Sequence, residues 1–240
     1  MSPIILKEAD ESSVIKKLCE LIETKANEAI TSKGVFRVGL SGGSLTKYLS
    51  TGLPNIKTDF QKWQFFFCDE RYVSESDPES TFGIYKSTLA PKISVDETQF
   101  FKIDQSLPLE ECAKNYALQI RKTFEMEYSL EWPQFDLLLL GMGPDGHTCS
   151  LFPGHKLLDE KNMLIAPIDD SPKPPPCRVT MTYPVLNNAK CCIFAMAGSG
   201  KADMVKRILV DKEDLPAGRV MPLNGELYWI VDAAAGVHLK

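Results

Sequence analysis

The sequence has no excess of positive charge. Its 27 lysines and arginines are outnumbered by 32 aspartates and glutamates, which gives a formal net charge of -5 and a pI near 5.4. Binding to a nucleic-acid backbone requires clustered positive charge, so the composition argues against a nucleic-acid partner. The basic residues are therefore expected to serve small anions.

Membrane and secretion signals are also lacking. The N-terminal residues contain no basic segment that leads into a long apolar run, and no stretch approaches transmembrane length. We expect neither a signal peptide nor a membrane partner. The seven cysteines include no C-x-x-C pair, which argues against a disulfide framework and a zinc ribbon. This pattern fits reduced thiols in the cytoplasm.

The composition that remains is that of an ordinary globular protein. With 240 residues, 44% of them hydrophobic and 25% charged, the chain is long enough for a large core and short enough for one domain over residues 1–240. Apolar periodicity predicts helices over 11–32, 79–89, 109–128 and 201–210, and strands over 35–40, 64–68, 99–103, 135–140, 179–182, 191–196 and 227–231. This alternation predicts a single α/β domain.

The most informative stretch is 137–154, which reads LLLLGMGPDGHTCSLFPG. Four consecutive leucines ending at Leu140 predict a strand that is buried on both faces. In open α/β sheets ligands bind beyond the carboxyl ends of the strands, where the glycine-rich run after Leu140 would lie. Asp145 and His147 stand two residues apart in that run, so the carboxylate can hold the imidazole in one tautomer. This pair is the strongest catalytic candidate in the chain.

A glycine-rich turn follows the strand predicted over 35–40 and leads into a helix. The turn consists of Ser41, Gly42, Gly43 and Ser44. It would present unpaired backbone N–H groups at a helix N-terminus, which is a favourable anion site. On its own, such a glycine pair more often marks a tight turn without further function.

Two other segments carry candidate site residues. Asp69, Glu70 and Arg71 come directly after an apolar strand, where a carboxylate can act in acid–base chemistry or orient a substrate. They are equally compatible with a solvated turn. The proline-rich segment 171–178, SPKPPPCR, is interpreted as a stiff loop that positions Lys173 and Arg178.

Three short motifs match parts of the chain, but none of them in its usual context. Residues 141–146 spell G-x-G-x-x-G, but Pro144 and the polar residues that follow make a poor dinucleotide-binding match. Residues 195–202, AMAGSGKA, resemble a P-loop that lacks its first glycine and its magnesium-binding hydroxyl. What remains of that motif is Lys201 at a helix start, which suits phosphate binding.

The third motif leaves a serine esterase open as an alternative. Gly39, Ser41 and Gly43 spell the G-x-S-x-G of serine hydrolases, with acids and His147 later in the expected order. The nucleophile elbow of that fold, however, follows several strands, whereas Ser41 follows only the first predicted one. We interpret Ser41 as part of the anion-binding turn.

Together these segments resemble the 6-phosphogluconolactonases of the glucosamine-6-phosphate isomerase superfamily. The resemblance runs through nearly the whole chain and is carried by GLSGGSL (39–45), FCDERYV (67–73), the 137–154 stretch, SPKPPPCRVTMT (171–182) and GSGKA (198–202). It implies a three-layer, mostly parallel Rossmann-like sheet with helices on both faces. It also implies hydrolysis of 6-phospho-D-glucono-1,5-lactone to 6-phosphogluconate, the second oxidative step of the pentose phosphate pathway, without a metal or an organic cofactor.

The resemblance further implies roles for individual residues. His147 matches the family's general base, Asp145 is its neighbouring aspartate, and Asp69 is a third catalytic candidate. The substrate-binding candidates come from the glycine-rich turn, the D-E-R segment and two cations: Ser41, Gly42, Gly43, Ser44, Glu70, Arg71, Arg178 and Lys201. Cys149 is interpreted as a buried thiol. The expected partner is a small sugar-phosphate lactone, and the expected oligomeric state is a monomer.

Elementary chemistry agrees with this interpretation. A lactone is an activated ester, so its hydrolysis needs a base to deprotonate water and donors for the developing oxyanion, but no covalent nucleophile. The other branch of the superfamily isomerises and deaminates glucosamine 6-phosphate, and it stays open as an alternative that the PDGHT and RVTMT segments disfavour. A sugar-phosphate-binding regulator would have no use for an acid–imidazole pair.

Overall fold

The computed structural model describes residues 2–126 and 131–239. Within these residues the centre is a seven-stranded sheet in which every pairing is parallel. The strands of the described chain are β1 (Ile4–Glu8), β2 (Phe36–Leu40), β3 (Trp63–Phe67), β4 (Asp69–Arg71), β5 (Phe100–Phe101), β6 (Leu137–Leu140), β7 (Ile165–Ile168), β8 (Arg178–Met181), β9 (Cys191–Met196) and β10 (Glu226–Asp232). Its helices are α1 (Glu11–Lys33), α2 (Ser44–Gly52), α3 (Thr81–Thr88), α4 (Ala90–Ile93), α5 (Leu109–Thr123), α6 (Tyr183–Leu186) and α7 (Ala202–Leu209).

Helices cover both faces of this sheet, as the four leucines of β6 demonstrate. Leu137 and Leu139 lie in an apolar cluster with residues of α1 and α2, whereas Leu138 and Leu140 lie in a second cluster with residues of α5 and α7. All four side chains are buried. The predictions of a doubly buried strand and of a three-layer, mostly parallel α/β fold are therefore confirmed.

The order of the strands in the sheet indicates the edge at which a ligand would bind. It runs β1-β10-β9-β6-β2-β3-β5, so the chain grows from β2 toward β3 and β5 in one direction and from β6 toward β9 and β10 in the other. Ligands of open α/β sheets bind beyond the carboxyl ends of strands where the order reverses in this way. The turns after β2, β3, β6 and β9 all lie at that edge.

A second, antiparallel sheet of the described residues has the order β4-β8-β7 and joins the first through Cys68. The backbone N–H of Cys68 donates to Leu40 O at 2.8 Å, and its carbonyl accepts from the N–H of Met181 at 2.8 Å. In the register of β4 and β8, Arg71 is paired with Arg178. This sheet brings both arginines to the carboxyl edge of the parallel strands.

Helix ends follow from local capping. Helix α1 begins after Asp10, whose Oδ1 accepts the N–H of Ser13 at 2.8 Å, and ends at Lys33, where Gly34 caps it with a left-handed φ of 78°. Both ends agree with the expected helix over 11–32 within a residue. Helix α3 begins two residues later than expected because Ser80 Oγ caps it, accepting the N–H of Gly83 at 3.1 Å.

Other boundaries correct the sequence-based expectation. Strands β1, β4 and β7 are absent from it. β1 is a five-residue edge strand with exposed Ile4 and Ile5, β4 consists of three charged residues, and Pro167 within β7 argues against a strand. The strand expected over 99–103 contains only Phe100–Phe101. The helix expected over 109–128 is shorter, because α5 ends at Thr123 and residues 124–126 are not helical; the expected end at 128 lies outside the described residues. In the part of the chain that the structure covers, no helix is long and apolar enough to cross a membrane.

Candidate active site

A cavity opens at the carboxyl edge of β2, β3, β6 and β9, and nine of the eleven predicted site residues line it. These nine are Ser41, Gly42, Gly43, Ser44, Asp69, Arg71, His147, Arg178 and Lys201. The two others are Asp145, which contacts His147 directly, and Glu70. The sequence segments that carry the resemblance thus converge on one site.

The turn after β6 fixes His147 and Asp145 against each other. His147 Nδ1 lies 2.5 Å from Asp145 Oδ1, and the backbone N–H of Gly143 donates to His147 O at 2.8 Å. A Cβ at position 143 would come within 2.0 Å of the imidazole ring, and Gly146 adopts a left-handed φ of 82°. Both glycines are therefore required by the local geometry rather than by a bound nucleotide.

The pair is electrostatically suited to a neutral base. Partial burial opposes ionisation of Asp145, but hydrogen bonds from His147 and Lys173 outweigh it and lower the pKa of Asp145 to about 2. An ionised Asp145 accepts the Nδ1 proton of His147, which leaves the lone pair on Nε2. Burial lowers the pKa of His147 below its usual value; Asp145 opposes this shift and Lys173 adds to it. These effects together favour the neutral form of the imidazole.

Aromatic packing holds the plane of the imidazole. The ring of Phe152 lies 4.7 Å from that of His147, centroid to centroid, and the guanidinium of Arg178 lies 5.6 Å from the centre of the Phe152 ring. The His147 side chain is only 17% exposed. Its rotation is therefore restricted by a hydrogen bond at Nδ1 and by an aromatic neighbour.

Asp69 lies at the start of β4, lines the same cavity and is nearly buried. Its Oδ2 accepts a hydrogen bond from Ser150 Oγ at 2.8 Å. Ser150 is in turn held by its backbone N–H, which donates to Thr180 Oγ1 at 3.2 Å. Asp69 thus presents a carboxylate to the cavity from the side of the small sheet.

Glu70, which the sequence predicts to bind substrate, is not among the residues that line the cavity. Its carboxylate accepts the backbone N–H groups of Arg71 at 2.8 Å, Thr81 at 2.8 Å and Phe82 at 2.7 Å, and the residue is 1% exposed. Burial raises the pKa of Glu70 to about 7, against the effect of these three donors. Glu70 therefore joins β4 to the first turn of α3 and does not reach the cavity.

The glycine-rich turn has the features of an anion site. Helix α2 begins at Ser44, and the first N–H groups of a helix have no intrahelical acceptor. The Ser41 carbonyl accepts from Tyr85 Oη at 2.8 Å, whereas its hydroxyl is buried and has no hydrogen-bond partner among the described residues. A buried hydroxyl without a partner at a helix N-terminus suits a bound oxyanion.

Three cations surround the same space. Arg71 Nη1 is paired with Glu79 Oε2 at 2.8 Å, and Lys201 Nζ donates to Met142 O at 2.7 Å. Burial and the nearby Lys173 lower the pKa of Lys201. Arg178 uses Nε and Nη2 on three carbonyls of the proline-rich loop, and no described residue accepts from its Nη1. The cations therefore keep donors free for an anion.

Lys173 is the site residue that sequence reasoning did not place. Its Nζ lies 3.1 Å from Asp145 Oδ1 and 3.2 Å from His147 Nδ1. The SPKPPPCR segment predicts only a stiff loop that positions this lysine. Nothing in the sequence could connect it to a pair 26 residues away, because that contact depends on the loop's path.

Cys149 is a buried thiol, as predicted. It is 7% exposed, and its hydrogen bond with Cys68 together with burial raises its pKa well above the usual range. A thiol in this state is a poor nucleophile. In the described part of the chain, no cluster of three or more His, Cys, Asp or Glu side chains is arranged for a metal ion.

Residues 9–229 match the family described as glucosamine-6-phosphate isomerases/6-phosphogluconolactonase, and the chain belongs to that family. It is 47% identical to the 6-phosphogluconolactonase of Rattus norvegicus over 91% of this chain and 86% of the rat protein. The Homo sapiens 6-phosphogluconolactonase is 46% identical with the same coverage. The crystal structure of the Thermotoga maritima 6-phosphogluconolactonase superimposes with a TM-score of 0.83 at 29% identity, covering 96% of this chain and 100% of that one.

Proposed function

We propose that this protein hydrolyses 6-phospho-D-glucono-1,5-lactone to 6-phospho-D-gluconate with water that His147 activates. The observation that carries the proposal is the hydrogen-bonded Asp145–His147 pair in a cavity that also contains a helix N-terminus and three cations. The names of the rat and human relatives support the same substrate. No covalent nucleophile is needed, since the lactone is already an activated ester.

The reaction begins with His147 as general base. Its Nε2 takes a proton from water while the water oxygen bonds to the lactone carbonyl carbon, giving a tetrahedral oxyanion. Asp145 stabilises the imidazolium that forms. Collapse of the oxyanion breaks the bond between this carbon and the ring oxygen, which takes the proton back from Nε2. The product is the open-chain acid, and His147 is again neutral.

The remaining groups bind the substrate. We assign the phosphate to the turn from Ser41 to Ser44, to the free Nη1 of Arg178 and to Lys201, because these groups combine backbone donors with positive charge. Asp69 lies in β4 of the small antiparallel sheet and is available to a sugar hydroxyl or to the attacking water. Neither role needs a metal or an organic cofactor.

The serine esterase alternative receives no support from the geometry. An activated serine requires a hydrogen bond to its base, but the Ser41 hydroxyl has no hydrogen-bond partner, His147 included, among the described residues. Ser41 therefore remains an anion-binding residue in this proposal.

We further place this reaction in the cytoplasm, as the second step of the oxidative pentose phosphate pathway, carried out by a single-domain monomer. All seven cysteines are unpaired, and six of them are buried. Reduced, unpaired thiols are typical of a reducing compartment.

The test compares the two activities of the family in one preparation. Freshly made 6-phosphogluconolactone should release protons much faster with enzyme than without it, and glucosamine 6-phosphate should release no ammonia. The His147→Gln protein is the control for buffer-catalysed opening of the lactone. Ammonia release without lactone hydrolysis would assign the chain to the isomerase branch instead.

A further inference from the structure

The proline-rich loop between β7 and β8 delivers one lysine to the catalytic pair. Lys173 Nζ donates to Asp145 Oδ1 at 3.1 Å, and the same oxygen lies 2.5 Å from His147 Nδ1. Lys173 does not line the cavity. Because its Nζ lies 3.2 Å from His147 Nδ1, its charge acts on the side of the imidazole opposite the proposed base atom Nε2. A carboxylate oxygen is thus shared between an ammonium group and an imidazole.

The backbone of Lys173 is fixed from both sides. Its N–H donates to Ser171 Oγ at 3.2 Å, and its carbonyl accepts from Ser171 Oγ at 2.9 Å and from Arg178 Nη2 at 3.0 Å. Arg178 also holds the carbonyls of Pro174 and Pro175, each at 3.0 Å. The loop is therefore a built support for this side chain rather than a solvated connection.

We infer that Lys173 is a positioning residue that holds Asp145 toward His147 and offsets the carboxylate's charge, so that the imidazole stays neutral as a base. The inference rests on the proposed function. A carboxylate at hydrogen-bond distance favours the imidazolium form, while a cation beside it favours the neutral form. With Lys173 present, Asp145 can orient the ring while the imidazole stays in its neutral form, which can accept a proton at Nε2.

The other charged groups near His147 are accounted for. Asp69 faces it from β4 and favours the imidazolium, whereas Lys201 at the start of α7 lies across the same cavity. Arg178 is separated from His147 by the Phe152 ring, and Cys149 is an un-ionised thiol. Among these groups Lys173 is the cation in contact with Nδ1.

The test follows the imidazole directly. The chain has three histidines, so the ring resonances of His147 can be assigned with His147→Gln and titrated by NMR. In Lys173→Met the pKa of His147 should rise by about one unit, a tenfold change in proton affinity. Lys173→Arg should restore it. The ring resonances of His155, which is paired with Asp170, should be the same in all of these proteins.

Activity supplies the second readout. The acid limb of kcat for the phosphorylated lactone should move to higher pH by the same amount in Lys173→Met, while KM above pH 8 changes less than about twofold. Lys114→Met is the matched control, because it removes an exposed lysine that is also paired with a carboxylate, Glu111. If Lys173→Met fails to fold, Lys173→Gln answers the same question.

Three results would overturn the inference. The first is an unchanged pKa of His147 in folded Lys173→Met, and the second is an equal change of that pKa in Lys114→Met. The third is a large rise in KM at every pH with an unchanged pH profile of kcat. The last result would make Lys173 a phosphate ligand. The NMR titration needs no substrate, so it decides the role of Lys173 even if the protein proves not to be a lactonase.

Discussion

The imidazole of His147 is the residue on which the proposed chemistry depends. Replacing it with Gln should lower kcat by about 10² to 10⁴, the usual contribution of a general base, and leave KM nearly unchanged. His155→Gln is the matched control because His155 is bound to Asp170 outside the cavity. Stopped-flow proton release measures both. Wild-type kcat in a folded His147→Gln protein would remove this residue from the mechanism.

The two candidate phosphate cations should behave differently when each is replaced by Ala. Lys201 contributes one bond to Met142 O, so Lys201→Ala should reduce kcat/KM about 10- to 100-fold on the phosphorylated lactone and little on unphosphorylated gluconolactone. Arg178 also holds the loop that carries Lys173, so Arg178→Ala should lower kcat/KM on both lactones. Equal losses on the two substrates for Lys201→Ala would contradict its assignment to the phosphate.

At the scale of elements, Glu70 joins β4 to α3. Glu70→Ala leaves three backbone N–H groups, two of them buried, without their acceptor and should lower the free energy of unfolding by about 1 to 3 kcal/mol. Urea denaturation followed by circular dichroism measures this loss. KM should stay within about twofold of wild type. A raised KM at unchanged stability would restore Glu70 as a substrate-binding residue.

Elements with a strong local signal were predictable from the sequence. Gly34 ends α1, and the four leucines of β6 require burial on both faces. The strands β1 and β7 carry weaker signals, since β1 is a five-residue edge strand with no buried side chain and Pro167 sits where a ladder bond is not needed. Tertiary pairing stabilises both strands, and single-sequence periodicity does not contain that information.

The same distinction holds within the site. Asp145 and His147 are recognisable because both stand on one short turn after a buried strand. Glu70 and Arg71 look equivalent in the sequence, yet only Arg71 reaches the cavity, because side chains alternate across β4. Lys173 depends on a loop path that Arg178 sets, so its place next to Asp145 could be found only in the folded chain.

For the whole molecule we expect one cooperative unit. Both apolar clusters pack on the same seven-stranded sheet, so heat or urea should produce a single transition that coincides by far-UV and near-UV circular dichroism. Sedimentation should give a mass near 26.8 kDa, that of a monomer. Two separated transitions would contradict the single-domain proposal, and a doubled mass would contradict the monomer.

The reversal of strand order between β2 and β6 has a consequence for how activity arises during folding. The groups of the cavity run from Ser41 to Lys201 along the chain and meet only at the middle of the sheet. Contacts between residues so distant in sequence form slowly, because the closure of long loops must precede them. Individual helices can form earlier from local sequence alone. The return of catalysis after dilution from denaturant therefore reports the pairing of the central strands and lags behind the return of helical signal.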